Sequence, residues 1–433
     1  MWITMESWIK ESPVIESAID LFQPQDTEKG LALGGSIEVD PISQVNPFTG
    51  PIIFKVESND STFFQLHKTR LVGRLRVVKG EDTKLTAADR VKICNYLPHS
   101  LFKQYELYLQ HVNSQDISSA SFHYKAFLEN EFSYDSASKQ TLLACEMGTE
   151  EDEDERAKLI AESKEIQFDM RVPCDLFGSS TKFLPPGINW QLRCTRQDPS
   201  YGLILEAGEV NTYKIQLLDL KLVTRKIVVS PFALEKYRNK LSLQDSLIHF
   251  KSGKLRFFQI PKGLTALNIP SVVTGQLPQS LLVGFVLADD HSGVGDLTHG
   301  KGDPYKFQGF NLSSLNVKLN GNNILSSAYK CNFETEENLM YLYKELLMNT
   351  GYANNSQTIA ITYDQFKTNK FFLAVDLSPD QCYLAHYHKM GTGDIVLELT
   401  WRSPLERNIV CMTHCIFDSV VKFNNFNQVT VSL

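Results

Sequence analysis

Apolar and polar residues alternate with a period of two along most of the chain. In the segment 313–324, for example, Leu315, Val317 and Leu319 alternate with polar neighbours before Gly321 begins a turn. Alternation puts every second side chain on the same face, so such a segment predicts a strand with one buried side. Segments that have this pattern and are rich in β-branched and aromatic residues are 51–56, 70–78, 105–112, 166–172, 188–194, 213–229, 254–260, 280–288, 315–319, 370–377, 394–401 and 409–423.

Two segments predict helices instead. The segment 335–349 carries an apolar stripe that starts at Leu339, and Thr335 is its predicted N-cap. A proline at the first-turn position predicts a second, short helix over 231–241. Because helices do not alternate regularly with the strands, we expect an all-β chain built as a sandwich or barrel, not a parallel α/β sheet.

The two halves of the chain repeat the same landmarks in the same order. The matched segments are 105–109 with 315–319, 124–127 with 329–333, 166–177 with 371–382, 187–196 with 393–402, and 213–229 with 409–423. We interpret this order as a duplication of one β unit of about 200 residues; two unrelated sandwiches that share generic β patterning are the alternative. Several strands with long connections are typical of a jelly roll, in which two sheets face each other. The predicted fold is therefore two tandem jelly-roll β-sandwiches, a double jelly roll, with short helices in the inter-strand loops.

The boundary between the repeats falls near Ser230. The predicted domains are an N-terminal arm (1–31), a first jelly roll (32–229) and a second jelly roll with a C-terminal tail (230–433). A chain of 433 residues exceeds the usual size of a single core, which favours two domains.

Composition excludes several classes of protein. Hydrophobic residues make up 42% and charged residues 21%, an ordinary globular balance. With 43 basic and 50 acidic residues the net charge is −7, so the chain has no general attraction to nucleic acid or anionic membranes. No apolar run approaches the ~18 residues of a membrane span, and Glu6, Lys10 and Glu11 interrupt any signal-peptide core. Eight cysteines without C-x-x-C spacing predict reduced, mostly buried thiols and a cytosolic or nuclear origin.

A glycine-rich segment, 288–307, holds the densest set of candidate ligand residues. Its HGKGD piece superficially resembles a phosphate loop, but Asp303 stands where such a loop has Ser or Thr, and a strand-like segment follows instead of a helix. We therefore expect an exposed loop between strands in place of a metal or phosphate site. The candidate residues are Asp289, Asp290, His291, Asp296, His299 and Asp303.

Two alternating pairs raise the question of metal or redox chemistry. His386 and His388 would share one face of a strand, as in some zinc and copper sites, but no third ligand is identifiable and we expect an exposed turn. Cys411, Thr413 and Cys415 also share a face, and we expect them to be small buried residues of the sandwich interior, not a redox pair.

The acidic segment 149–158 contains six consecutive carboxylates at 150–155. An active site needs carboxylates that the fold holds apart, with at least one shielded from water, so this run predicts a solvated surface loop. The chain has no nucleophile elbow and no zinc-protease motif. We predict that it is not an enzyme, with no catalytic, cofactor-binding or metal-binding residues and no cofactor.

Several motifs carry a family resemblance over roughly residues 18–424. They include SIEVDPIS, HSLFKQYELYLQHVNSQ, TGQLPQSLLVGFV, NLSSLNVKLNGNNI, FFLAVDLSPD and GDIVLELTWRSPL. On these motifs the chain resembles the hexon-like major capsid proteins of Polinton/Maverick elements and their adintovirus relatives. The most specific part is 257–324, and the departures are the acidic insertion at 149–155 and the glycine-rich loop at 292–302.

The resemblance implies a structural capsid protein that forms trimers. Three chains with two similar rolls each present six similar wedges, so the trimer has a pseudo-hexagonal outline and can tile an icosahedral shell around double-stranded DNA. The implied partners are the other copies of a homotrimer, neighbouring capsomers and a minor, penton-type capsid protein, without specific nucleic-acid binding or a membrane span. The implied location is the virion capsid, with synthesis in the host cytoplasm and the nucleus as one possible place of assembly.

The resemblance also implies large apolar contacts along the flanks of the rolls. Loop aromatics such as Phe177, Phe183 and Tyr201 fit a part in these contacts, and local core residues are the alternative for each. We expect the arms at 1–30 and 424–433 to fasten neighbouring trimers or minor capsid proteins.

Two alternatives come from other classes of protein. A carbohydrate- or receptor-binding jelly roll would need exposed loop aromatics, yet Trp190 and Trp401 fall in predicted strands and Trp2 and Trp8 in the N-terminal arm. A metalloenzyme built on paired jelly rolls would need His386 and its neighbouring histidine to converge with further ligands.

Overall fold

The computed structural model describes residues 30–80, 82–114, 121–149, 153–178, 181–295, 298–325, 327–352, 358–381, 386–388 and 391–432. Its first eleven strands are β1 Leu31–Val39, β2 Ile52–Val56, β3 Thr62–Lys79, β4 Thr83–Lys84, β5 Val91–Ile93, β6 Phe102–Leu109, β7 Val112–Asn113, β8 Ile166–Arg171, β9 Trp190–Arg196, β10 Leu203–Leu205 and β11 Tyr213–Val229. The following strands are β12 Ser246–Ile260, β13 Ala266–Gln276, β14 Ser280–Leu287, β15 Leu312–Leu319, β16 Asn322–Asn323, β17 Tyr329–Lys330, β18 Phe372–Asp376, β19 Thr392–Trp401, β20 Ile409–Phe423 and β21 Val429–Ser432.

Short helices lie in the connections. They are α1 Leu97–Ser100, α2 Phe122–Ser133, α3 Ser136–Gln140, α4 Glu153–Ala157, α5 Asp175–Gly178, α6 Pro231–Leu241, α7 Ala288–Ser292, α8 Leu339–Asn349 and α9 Tyr363–Thr368, with 3-10 turns at Leu143–Glu146 and Lys158–Ser163. None of the helices in the described part of the chain has the length and apolar character that a membrane crossing requires.

The same pair of antiparallel sheets occurs twice. In the first half, strands β1-β11-β3-β8 form one sheet and β2-β9-β6-β7 the other; in the second half the orders are β12-β20-β14-β18 and β13-β19-β15-β16. Four of the five pairs of repeated segments hold the same places, since β6 matches β15, β8 matches β18, β9 matches β19 and β11 matches β20. The fifth pair does not, because 124–127 lies in helix α2 whereas Tyr329–Lys330 forms strand β17. The predicted all-β fold of two tandem jelly rolls is confirmed.

Alternation of side chains explains why these strands form sandwiches. Along β9 buried and half-buried residues alternate without interruption, and Trp190 and Leu192 on its inner face are almost completely buried. The long strands fix the register: β12 pairs with β20 without a shift from Ser246↔Phe423 to Ile260↔Ile409. A shift of one residue in register would turn all the inward-facing apolar side chains to solvent. The burial of these side chains therefore fixes the register.

Both predicted helices are present, but the predicted first residue of one of them, α8, is wrong. Helix α6 begins at Pro231 as predicted, and the Ser230 hydroxyl accepts a hydrogen bond from the Ala233 N–H at 3.3 Å. Helix α8 begins at Leu339 instead of at Thr335, because Glu336 and Asn338 have left-handed φ angles of 56° and 62° that interrupt a right-handed helix. Its predicted stripe is buried, at Leu339, Leu342 and Leu346.

Both ends of the described chain lie in sheets. Strand β1 starts at Leu31, the last residue of the expected arm; residues 1–29 of that arm lie outside the described residues. The expected C-terminal tail forms β21, which pairs with β20 of the same chain from Val420↔Ser432 to Phe423↔Val429. The described part of the tail is thus a strand of the second roll, where we expected a free arm.

Candidate functional site at the junction of the two rolls

Helix α2 is one of the elements of the first roll that contact the second. Along its length only Ser133 is exposed and only Glu129 is half-buried. Phe127 stacks on Tyr305 with ring centroids 4.7 Å apart and an interplanar angle of 4°, and Phe132 meets Phe372 edge to face at 5.3 Å. Such aromatic pairs contribute about 0.5–1.5 kcal/mol each beyond the burial of their area. We call this contact between the rolls the junction.

A buried ionic triad crosses the junction. The Glu131 carboxylate accepts hydrogen bonds from Nζ of Lys139 at 2.9 Å and from Nζ of Lys370, in the second roll, at 2.5 Å. Glu131 and Lys139 have fully buried side chains. Burial alone would raise the pKa of Glu131, but the two ammonium groups outweigh it and lower the pKa below its usual value. The ionised form of Glu131 is therefore favoured, and its hydrogen bond from Lys370 ties α2 to the start of β18.

A second buried charge pair lies where α5 meets β12. Lys125 of α2 pairs with Asp175, whose carboxylate also accepts from the Gly253 N–H at 3.1 Å and from the Ser252 hydroxyl at 3.4 Å. Desolvation would lower the pKa of Lys125, but the carboxylate beside it raises the pKa above the ordinary lysine value. Because Asp175 belongs to the first roll and Gly253 to the second, this pair also joins the rolls.

Three histidines are buried or half-buried around the junction and stay neutral. Burial lowers the pKa of His123 to about 3, of His291 to about 4 and of His414 to about 3. The Nε2 atom of His414 is buried and has no hydrogen-bond partner. The His414 ring fills the space beside Gly253, where an added Cβ atom would lie 2.6 Å from His414 Nε2.

A third set of contacts involves the end of the glycine-rich segment. Backbone hydrogen bonds of 2.8 and 2.9 Å join Leu205 of the first roll to Lys301 of the second, and Lys301 Nζ donates to the Ser200 carbonyl at 2.6 Å. Burial lowers the pKa of Lys301 to about 8 and raises the pKa of Asp303 to about 6. Part of the expected exposed loop is therefore a buried contact between the rolls.

A cavity of about 250 Å³ remains within the junction. Its polar lining includes Lys125, Glu129, Arg171, Lys251 and His414, and Leu128 and Phe132 contribute apolar surface. Because both signs of charge line it, the cavity offers no single-sign site for an ion. The arrangement as a whole fixes two rolls in one relative orientation, which is a structural role.

The remaining candidate ligands of the glycine-rich segment are dispersed. Asp289 pairs with Arg407 at 2.7 Å, and Asp290 accepts from the Gly302 N–H at 3.0 Å. Asp296 lies outside the described residues. Within the described ranges, no three His, Cys, Asp or Glu side chains come together in a way that could hold a metal ion.

The paired histidines and cysteines have ordinary structural surroundings. The rings of His386 and His388 are 6.2 Å apart, and His388 Nε2 lies 3.1 Å from an oxygen of Asp380. Cys411 and Cys415 are buried free thiols within β20, as expected, and burial raises the pKa of both.

The described carboxylates of the acidic segment are solvated, as expected: Asp154 and Glu155 are exposed and Glu153 is half-buried. Residues 150–152 lie outside the described residues, but α4 continues the segment and contacts the first roll. Asp154 pairs with Lys92 at 2.7 Å, while the buried Arg156 donates from Nε to the Ile93 carbonyl at 3.0 Å and lies 3.7 Å from Asp303. The acidic segment thus reaches the junction through Arg156, which lies beside Asp303 of the second roll.

Two of the three loop aromatics that we considered for contacts between subunits lie inside the chain. Phe177 and Tyr201 are 3% and 2% exposed, and Phe183 is half-buried. Phe177 packs against Trp190, and Tyr201 against His123 of α2. Phe177 and Tyr201 therefore stabilise the first roll and the junction and are unavailable to a neighbouring subunit.

Comparisons with known proteins agree with this architecture. No protein-family model matches the chain, and no curated protein matches it. Among solved structures, a chain of the Sputnik virophage structure aligns with a TM-score of 0.61 and 9% identity, over 98% of this chain and 93% of that one. The chain has the double jelly-roll fold.

Two solved capsid proteins extend the comparison. The mavirus major capsid protein aligns with a TM-score of 0.53 and 10% identity, over 98% of this chain and 96% of that one. The Faustovirus major capsid protein aligns with a TM-score of 0.54 and 11% identity, over 92% of both chains. At such identities the likeness is one of fold, and it extends over nearly the full length of both double jelly-roll chains.

Proposed function

We propose that the protein is a structural major capsid protein that assembles as a trimer. The observation that carries the proposal is the repetition of one sheet pair, with the two copies fixed side by side by the junction. Three such chains around a threefold axis present six similar rolls, so a trimer can occupy a sixfold position in a closed shell. Full-length likeness to the mavirus and Faustovirus major capsid proteins supports this role.

Such trimers would tile an icosahedral shell around double-stranded DNA. Repetition of weak side-by-side contacts makes closure cooperative through multivalency. The net charge of −7 favours containment of the DNA over specific binding to it. The partners would be two further copies of the chain, neighbouring capsomers and a minor, penton-type capsid protein.

We further infer that the protein belongs with the hexon-like capsid proteins of Polinton/Maverick elements and adintoviruses, on the motifs described above. The two rolls, 32–229 and 230–433, would be its domains. Its place would be the virion capsid, after synthesis in the host cytoplasm and assembly there or in the nucleus.

Buried tryptophans argue against the carbohydrate-binding alternative. Trp190 and Trp401 are 1% and 4% exposed, within β9 and β19. A sugar-binding face needs aromatic rings open to solvent, so these two residues are unavailable for that role.

Light scattering on the purified full-length chain tests the proposal. A trimer has a mass of about 147 kDa, three times the 49.1 kDa of the chain. A stable 49.1 kDa monomer that copurifies with stoichiometric copper or zinc would overturn the capsid role in favour of an enzyme.

A further inference from the structure

The buried pair of Lys125 and Asp175 has the arrangement of two groups that can react with each other. Nζ of Lys125 is in hydrogen-bond contact with Oδ1 of Asp175, and each side chain is 4% exposed. Condensation of an amine with a carboxyl group needs the two groups held together out of bulk water, with the nitrogen about 3–3.5 Å from the carboxyl carbon. Because Cγ of Asp175 is bonded to the oxygen that Nζ contacts, the fold supplies this arrangement.

A second acid lies beside the pair. Glu129 follows Lys125 by one turn of α2, so the two side chains lie on the same side of the helix. Lys125, Glu129 and Asp175 all line the junction cavity. Burial raises the pKa of Glu129 more than the nearby Lys125 and Arg171 lower it. A carboxylic acid that holds its proton can give that proton to one atom and take another back, which is the work of a proton relay.

The second roll supplies hydrogen-bond donors to the same carboxyl group. The Gly253 N–H donates to Oδ1 of Asp175 at 3.1 Å, and the Ser252 hydroxyl donates to Oδ2 at 3.4 Å. When an amine adds to a carboxyl carbon, negative charge develops on these oxygens, and donors already in place stabilise it. The buried ring of Phe122 lies 5.4 Å from Nζ of Lys125 and shields the amine from water.

We propose that Lys125 and Asp175 form an intramolecular isopeptide bond once the chain has folded. The Lys125 ammonium passes one proton to Asp175, so that a neutral amine faces a neutral carboxylic acid. The amine nitrogen adds to Cγ of Asp175, and the C–N bond forms. Glu129 takes a second proton from the nitrogen and gives its own proton to the departing hydroxyl. The C–O bond breaks, one water leaves into the junction cavity, and Glu129 ends protonated as it began.

The reaction needs no oxidant, reductant or cofactor, and it occurs once per chain. The bond closes the segment 125–175 into a covalent loop beside β12. A cross-link of this kind stabilises a folded chain mainly by restricting the unfolded one. The cysteines within the described residues are free thiols, and an amide, unlike a disulfide, survives in a reducing compartment.

The ionic triad at Glu131 provides an internal comparison. Its carboxylate is also buried against a lysine, Lys139, at 2.9 Å. Here, however, a second ammonium group, from Lys370, holds the carboxyl group in its ionised form, which an amine does not attack. We therefore expect the bond at Lys125 and none at Lys139.

Mass spectrometry of the purified full-length protein tests the bond directly. We expect nearly all of the protein to be one water molecule lighter than the 49.1 kDa chain, with tryptic fragments joined through Lys125 and Asp175. Lys125→Arg is the matched control, because it keeps a cation beside Asp175 but replaces the amine with a guanidinium that stays protonated. Its mass should equal the mass of its sequence.

Glu129→Gln tests the proton relay. Glutamine keeps the size of the side chain but cannot exchange a carboxyl proton, so a purely structural role of Glu129 would leave the rate unchanged. The rate is measured on chains made by cell-free synthesis, denatured at timed intervals and weighed. Because a positioned acid or base contributes a factor of about a hundred or more, we expect the loss of water to slow by at least that factor.

The bond forms within one chain, so these measurements do not depend on assembly. A folded wild type that keeps the full mass of its sequence would overturn the bond and leave the capsid role standing. Fragments joined through any other pair of residues, or loss of water in Lys125→Arg, would overturn the assignment to Lys125 and Asp175. Loss of water from Glu129→Gln at the wild-type rate would overturn the relay.

Discussion

The ionic triad of Glu131, Lys139 and Lys370 gives the most quantitative prediction about the junction. Glu131→Gln keeps the shape of the side chain but removes its charge. Two ammonium groups would then face a neutral amide, one of them fully buried and the other only 12% exposed. Removal of one partner from a buried ion pair typically costs about 3–5 kcal/mol, so we expect the free energy of unfolding to fall by that amount.

Lys370→Met is the matched control for this change. It removes the ammonium group that comes from the second roll but leaves Glu131 paired with Lys139 and bonded to the Tyr96 hydroxyl at 3.2 Å. One charge-assisted hydrogen bond is lost, while the apolar side chain avoids desolvation of a cation. We expect a smaller loss, of about 1–2 kcal/mol.

Urea denaturation followed by tryptophan fluorescence measures both effects. Trp190 reports on the first roll and Trp401 on the second. In a background with Trp2 and Trp8 changed to Phe, a further Trp→Phe change at either position isolates one roll. We expect coincident transitions in the wild type and separated transitions in Glu131→Gln. The reasoning would be refuted if Glu131→Gln cost less than about 1 kcal/mol, or if Lys370→Met cost as much as Glu131→Gln.

Further predictions concern packing, pH and metals. Gly253→Ala should lower the free energy of unfolding in urea by about 1–3 kcal/mol, because the added Cβ would lie 2.6 Å from His414 Nε2. In the control Gly391→Ala the added Cβ meets nothing within 4 Å, so the free energy of unfolding should change little. Equal losses in the two variants would contradict the packing argument. The three junction histidines have pKa values of about 3 to 4 in the folded chain, against 6.5 in the unfolded chain. The unfolded chain therefore binds more protons below pH 6.5. As the pH is lowered through this range, the free energy of unfolding should fall by up to about 1.4 kcal/mol per histidine per pH unit. The raised pKa of Asp303, about 6, offsets part of this loss below pH 6; urea midpoints should still be lower at acidic pH, and His414→Gln should flatten the slope. Elemental analysis of the purified protein should find no stoichiometric zinc or copper, and His388→Ala should leave the metal content unchanged.

Long alternating segments were predicted well from the sequence. The strands β11 and β20 have the predicted bounds, because each is a long segment, of 17 and 15 residues, rich in β-branched and other apolar residues. The repeat was also visible, because a duplicated unit keeps its turns and strand ends in order. Strand β13 was missed: Pro270 interrupts its pattern, and its pairing with β19 shifts between Ile269 and Val273.

The junction could not be predicted, and its elements show why. Helix α2 is buried all round, so it lacks the amphipathic period that reveals a helix in a sequence. The partners Glu131 and Lys370 are 239 positions apart, and no local pattern links them. For the same reason the sequence left open whether Phe177 and Tyr201 lie at a subunit contact or in the core, and tertiary contacts bury both. Periodicity reports which face of an element is apolar, but not which other element covers it.

Electron microscopy of the purified full-length protein tests the central claim most directly. The account predicts particles with threefold symmetry and six similar lobes, in which each pair of lobes is one chain. Monomeric two-lobed particles at every concentration, or closed dimers with a twofold axis, would contradict it.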